Sequence, residues 1–112
     1  KDLQVWKDSM DFVLDIYKMT EKFPNSELYG LTNQIRRSAV SVPSNIAEGS
    51  GSASDKEFAS FLNISRRSVF ETANILYIFQ KREIITRQMR ESLYDKLIML
   101  SKKITNFRKS LL

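Results

Sequence analysis

From Leu3 to the C-terminal leucines, apolar residues return every three or four positions, and very little in the chain breaks that rhythm. Spacing of three and four keeps side chains on one side of a helix. A half-buried strand would need alternation with a period of two, which no segment shows. Only three glycines and two prolines occur in 112 residues. Pro24, Gly49 and Gly51 fall where the apolar rhythm lapses, and so divide the chain into helical segments.

The first helix is predicted from about Leu3 to Lys22, with Asp2 available as its N-cap. Its apolar line is Leu3, Trp6, Met10, Val13 and Tyr17, flanked by Phe12, Ile16 and Met19. Phe23-Pro24-Asn25-Ser26 reads as a turn, because proline biases the residue before it away from the helical region. Asn25 or Ser26 can cap a second helix that begins near Glu27 and aligns Leu28, Leu31, Ile35, Ala39, Val42 and Ile46. Pro43 lacks an N–H and crowds the carbonyl of Ala39, so a kink is expected there, with the helix resuming to Glu48.

The run GSGSA at positions 49–53 reads as a flexible loop, and Ser54-Asp55-Lys56-Glu57 matches a capping box that starts helix three. Phe58, Leu62, Ser65, Val69, Thr72, Leu76 and Phe79 then form a seven-residue repeat suited to bundle packing, and Lys81-Arg82 mark its end. Thr86 can cap a fourth helix carrying Met89, Leu93, Leu97, Leu100, Ile104, Phe107 and Leu111. The expected fold is all-α, an antiparallel up-down-up-down four-helix bundle forming a single domain over residues 1–112.

The chain has no cysteine and no histidine. Thiolate metal sites, zinc enzymes and Ser-His or Cys-His triads are thereby excluded. The carboxylate pairs Asp11/Asp15 and Glu91/Asp95 have i,i+4 spacing but read as surface charges, and Gly49-Ser50-Gly51 lacks the lysine of a phosphate-binding loop. No enzyme activity, catalytic residue, metal or cofactor is expected. With neither a secretory leader pattern nor an apolar run of about 20 residues, the expectation is a cytoplasmic protein without a membrane partner.

Charge divides unevenly: residues 1–57 hold seven Lys/Arg against nine Asp/Glu, and residues 58–112 hold eleven against four, giving −2 and +7. A basic half points toward an anionic partner such as RNA or DNA. Candidate phosphate contacts are Arg36, Arg37, Arg66, Arg67, Lys81, Arg82, Lys102, Lys103, Arg108 and Lys109. Arg37 and Glu48 share helix two but lie roughly 16 Å apart along it, so they cannot pair within that helix.

Beside the apolar stripe of helix two runs a polar row, Gln34, Ser38, Ser41, Asn45 and Glu48. Periodicity alone reads it as a solvated face, although small serines also admit the close approach of another helix. In helix three, Phe70, Ala73 and Tyr77 lie off the Val69–Leu76 line. Either these aromatics are partly exposed or a second subunit covers them, and Phe70 and Tyr77 are the candidate oligomer contacts.

Several of these residues also carry a resemblance. Leu3-x-Val5-Trp6, Phe23-Pro24, the run from Gly30 to Val42 with Gln34-Ile35-Arg36-Arg37-Ser38 at its centre, and Asn45-Ile46-Ala47-Glu48-Gly49 make up its pattern, together with Phe58, Phe61-Leu62, Ser68 and Glu71. The chain resembles the four-helix-bundle proteins encoded within intervening sequences of bacterial large-subunit ribosomal RNA genes. Arg67 departs from the pattern, which usually has a small residue before the serine at 68.

The resemblance implies an antiparallel four-helix bundle, generally a ring-like homopentamer, with no established enzymatic activity. Related members are accessory proteins of diversity-generating retroelements, thought to bind nucleic acid and a reverse transcriptase through a basic surface. Gln34, Arg36, Arg37, Asn45, Glu48 and Gly49 are the family-motif residues, expected to act in structure or at an interface. The leading expectation is a non-enzymatic homo-oligomer that binds or associates with RNA, ribosomal or other. The alternative is a protein-interaction scaffold, for example an accessory subunit of a reverse transcriptase.

Overall fold

Four helices account for most of the chain in a computed structural model that describes residues 3–24 and 29–112. They are α1 (Leu3–Thr20), α2 (Tyr29–Ser50), α3 (Asp55–Lys81) and α4 (Arg87–Leu111). The expected caps at Asp2 and at Asn25 or Ser26, and the expected α2 residues Glu27 and Leu28, lie outside the described residues.

Two helix starts follow the sequence signals. Ser54 is extended, with φ −142° and ψ 157°, and its side chain accepts the N–H of Glu57 at 3.1 Å. The Glu57 carboxylate reaches back to the N–H of Ala53 at 3.2 Å. Thr86 accepts the N–H of Met89 at 3.1 Å and starts α4 in the same way. Each cap satisfies an N–H that the helix itself leaves without a partner.

The end of α3 is built less visibly. Ile84 donates its N–H to the Phe79 carbonyl and Glu83 donates to Gln80, both at 2.9 Å, closing a Schellman motif around Glu83 at φ 61°. Glycine normally fills that left-handed position, so the sequence carries no obvious stop beyond Lys81-Arg82.

Cross-helix contacts fix the topology. Asp8 meets Lys103 and Asp15 meets Lys96, so α1 and α4 run in opposite directions. Ala59 meets Arg108 and Tyr77 meets Tyr94, which sets α3 antiparallel to α4 in the same manner. Helices α1·α2, α2·α3, α3·α4 and α1·α4 pack together, while neither diagonal pair approaches closely, as in a four-cornered bundle. The rod measures 44 × 23 × 18 Å.

The core follows the expected rows in α3 and, from Ile35 onward, in α2. The heptad residues Phe58, Leu62, Ser65, Val69, Thr72, Leu76 and Phe79 are all buried, as are Ile35, Ala39, Val42 and Ile46 of α2. Helix α2 also runs unbroken across Pro43 and extends to Ser50, two residues past the expected end.

Helix α1 is turned about one residue from its expected line. Its buried residues are Val5, Ser9, Phe12, Val13, Ile16 and Thr20, whereas Tyr17 is exposed and Trp6 and Met10 are half-buried. Ser9 and Thr20 can occupy the core because their hydroxyls donate to the carbonyls of Trp6 and Ile16, at 2.7 and 2.8 Å. Two polar residues on the buried line hid it from an apolar count. The helix also stops at Thr20, two residues short of Lys22.

Helix α4 holds a comparable exchange. Met89, expected inside, is 44% exposed, and its neighbour Arg90 is only 7% exposed. The Arg90 guanidinium lies 4.3 Å from the Tyr77 ring centre and donates to Gln80 Oε1 at 2.7 Å. Stacking and a hydrogen bond thus replace its lost hydration.

Candidate functional site

The polar row of α2 divides into a buried middle and exposed ends. Ser38 is buried, Ser41 and Asn45 are half-buried, and Gln34 and Glu48 are exposed. Facing them on α3 are Ser65, Ser68 and Thr72.

These groups form a ladder. Ser65 donates to the Val42 carbonyl at 2.9 Å, Ser68 donates to Ser41 Oγ at 2.8 Å, and the hydroxyls of Ser38 and Thr72 lie 2.8 Å apart. Asn45 Nδ2 adds a bond to Ser41 Oγ at 2.9 Å. Each hydroxyl has a single hydrogen, so either Ser38 or Thr72 donates across while the other donates to a carbonyl of its own helix, Ile35 or Ser68. The solvated-face reading therefore fails for the centre of the row. What the row does there is hold α2 against α3.

Small residues make the approach possible. A Cβ built on Gly49 would lie 2.7 Å from Phe58 Cδ1 and 2.8 Å from Phe61 Cβ, so glycine alone fits where the end of α2 crosses the start of α3. Arg67, the departure from the family pattern, is exposed and leaves Ser68 free to meet Ser41.

The ten candidate phosphate contacts do not form one cluster. Arg36 is drawn inward, donating from Nε to Thr20 Oγ1 at 2.8 Å and covering the Tyr17 ring at 4.5 Å. Lys103 is paired with Asp8 at 2.6 Å, and Arg108 donates to the Ala59 carbonyl at 3.0 Å. Arg66 is half-buried over the Phe70 ring at 5.3 Å, and its buried Nε has no partner among the described residues.

The remaining six, Arg37, Arg67, Lys81, Arg82, Lys102 and Lys109, are exposed. Lys81 and Arg82 stand at one end of the rod. Lys109 lies 22 residues along α4 from Arg87, about 33 Å toward the other.

Asp8, Asp15 and Glu91 are paired with cations. Asp15 pairs with Lys96 at 2.7 Å, and Glu91 accepts from Arg87 at 3.3 Å with Arg90 nearby at 3.8 Å. The Lys103 ammonium, aided by Gln4, holds the Asp8 carboxyl below its usual value. Among the described residues no three Asp or Glu side chains converge as a metal site would require.

Phe70 and Tyr77 lie two turns apart on one side of α3, the side on which Tyr77 meets α4. Phe70 is 49% exposed and Tyr77 42%, while Ala73 between them is buried. Tyr77 meets Tyr94 edge-on at 6.2 Å. On the other flank of α4, between α1 and α4, a groove of about 960 Å³ is lined by Met19, Phe23, Ile84, Ile85, Met89 and Leu93 and by three lysines, Lys18, Lys22 and Lys96. No helix among the described residues is long and apolar enough to cross a membrane.

Comparison with known proteins agrees with this architecture. A crystal structure of a protein of unknown function from the S23 ribosomal protein family of Bacteroides thetaiotaomicron superposes with a TM-score of 0.80 at 28% identity, covering 94% of this chain and 98% of that one. No curated protein matches. The model of the 23S rRNA-intervening sequence protein family matches residues 1–106. With four helices in this arrangement and that match over nearly its whole length, the chain belongs to the 23S rRNA-intervening sequence protein family.

Proposed function

We propose that this protein is a non-enzymatic, homo-oligomeric, RNA-associated bundle that contacts phosphates through exposed Lys and Arg without reading sequence. One observation carries the reading: α4 has no acid after Asp95, and α3 has only Glu71 between Phe58 and Lys81, while Arg67, Lys81, Lys102 and Lys109 of these helices are exposed. Such a surface attracts a polyanion and binds it by releasing condensed counterions. The family name, which refers to 23S rRNA, is in keeping with it. Catalysis is not part of the proposal, because histidine and cysteine are absent and Asp8, Asp15 and Glu91 are occupied by cations. A cytoplasmic location accords with an RNA partner.

Binding to structured RNA, duplex DNA and a non-nucleic polyanion across a salt series tests the proposal. RNA affinity above that of the control, with log K falling linearly against log salt, is the expected result. No binding at low salt would eliminate it.

The second reading is a protein scaffold whose helix-three aromatics are covered by another copy or another protein. The exposure of Phe70 and Tyr77 favours it. Phe70→Asp and Tyr77→Asp should then dissociate the assembly, and an unchanged mass in sedimentation would count against that interface.

A further inference from the structure

We infer that the α3–α4 seam is a platform for unpaired RNA, with Phe70 and Tyr77 stacking on bases and the surrounding cations holding the backbone. The inference rests on the RNA reading and narrows it to single strands.

The first support is the pairing of rings and charges. Phe70 and Tyr77 are seven residues apart, two turns of α3, and so lie on one side of it about 10.5 Å apart. That span is about three stacked-base rises of 3.4 Å. Each ring is already held by a guanidinium, Arg66 at 5.3 Å from Phe70 and Arg90 at 4.3 Å from Tyr77, and still keeps much of its surface exposed. A ring braced in this way loses little freedom when a base stacks on it.

The second support is the sign of the charge along the seam. Across from Phe70 and Arg66, the register set by Ala59–Arg108 and Tyr77–Tyr94 places the α4 stretch that contains Ile98, Lys102 and Thr105. Lys102 is exposed there, Lys109 is exposed two turns farther along α4, and no acid occurs in α4 beyond Asp95; the acids Glu91 and Asp95 flank Tyr94 at the Tyr77 end, where Arg90 lies 3.8 Å from Glu91. Glu71, the acid of central α3, sits about 100° round the helix from Phe70, on the side away from α4. Cations interleaved with exposed rings suit a single strand, because every unpaired base offers a π-face. A duplex has already consumed those faces in its own stack and would gain only from the charges.

The experiment compares an oligouridine with a blunt RNA duplex of equal length at one salt concentration. Wild type is measured beside Phe70→Leu, Tyr77→Leu and Lys102→Gln/Lys109→Gln. Leucine keeps an apolar side chain but removes the ring, and a far-UV melt checks that each variant is folded.

The expected result is a loss of roughly 5- to 150-fold per ring for oligouridine, with duplex affinity and salt slope unchanged. The lysine variant weakens both RNAs and lowers each salt slope by up to about 2. Equal loss for both RNAs, or none for either, on removing a ring overturns the platform while leaving RNA association standing. A drop in mass of the RNA-free leucine variants also overturns it, since the rings would then be buried by a second copy. Failure of wild type to bind either RNA defeats the platform and the RNA reading together.

Discussion

Replacing Gly49 by alanine sets two principles against each other. Gly49 is one residue from the end of α2 and has no positive φ, so alanine fits its backbone. Helix propensity alone then predicts a gain of about 0.5–1 kcal/mol. The tertiary structure predicts the reverse. The new methyl would stand 2.7 Å from Phe58 Cδ1 and 2.8 Å from Phe61 Cβ, where carbon atoms prefer about 3.5–4.0 Å.

A rotamer change relieves neither contact fully. Phe58 is buried edge-to-face against Phe107 at 5.2 Å, and Phe61 Cβ is fixed to the backbone of α3. Helix α3 must therefore move away from α2, loosening the Ser65–Val42 bond four residues farther on. Overpacking costs about 1–3 kcal/mol, and two immovable contacts place this site in the upper half of that range. After the propensity gain, a net loss of about 1–2.5 kcal/mol remains.

The assay is urea unfolding at fixed protein concentration. With m near 1.5 kcal/mol/M for a chain of this size, the midpoint should fall by roughly 1 M. Gly30→Ala is the control, because no atom lies within 4 Å of a Cβ added there and alanine should leave stability equal or slightly higher. A Gly49→Ala protein as stable as wild type would refute the close approach of α2 and α3 at this point.

Four further outcomes are expected. In a double-mutant cycle, Ser38→Ala and Thr72→Val should each cost about 1 kcal/mol with a coupling of about 0.5–1; additive losses would mean that the 2.8 Å contact contributes nothing. Arg90→Ala removes the stack on Tyr77 and strands Gln80 Oε1, so thermal unfolding should show a loss of about 1–3 kcal/mol, and an unchanged melting temperature would contradict it. Glu83→Gly relieves a left-handed residue at φ 61° and should stabilise by about 0.5–1 kcal/mol, whereas a lower melting temperature would argue against the Schellman turn. The folded-state pKa of Asp8 is depressed, chiefly by its hydrogen bond from Lys103. Its stabilisation is therefore present above the unfolded value of about 3.8 and lost as pH falls through the lower folded value; Asp8→Asn should flatten that acid limb, and identical acid profiles would exclude the pair as a contributor.

Much of the fold was legible because helix periodicity and capping are local. Ser54 with Glu57, Thr86, the α3 heptad and the α2 row from Ile35 to Ile46 all stand as the spacing indicates. Legibility failed where a polar side chain found a partner that the sequence does not name. Ser9 and Thr20 are buried because they bond to their own helix, and Arg90 displaces Met89 because Tyr77 and Gln80 receive it. The ten basic candidates were visible as residues, but the internal ties of Arg36, Lys103 and Arg108 and the wide separation of the others were not.

The sequence by itself determined four amphipathic helices, the places where two of them begin, the absence of histidine and cysteine chemistry, and the basic bias of the second half. All of these depend on residue identity or on neighbours within a turn or two. Only the tertiary structure decided that the serines of α2 face the hydroxyls of α3, that Gly49 is held by Phe58 and Phe61, and that Tyr77 meets Tyr94 and Arg90 across the α3–α4 seam. Those relations join residues on different helices, from 9 to 34 positions apart, and only helix packing, which sets the rotation and register of each helix against its neighbours, brings them into contact.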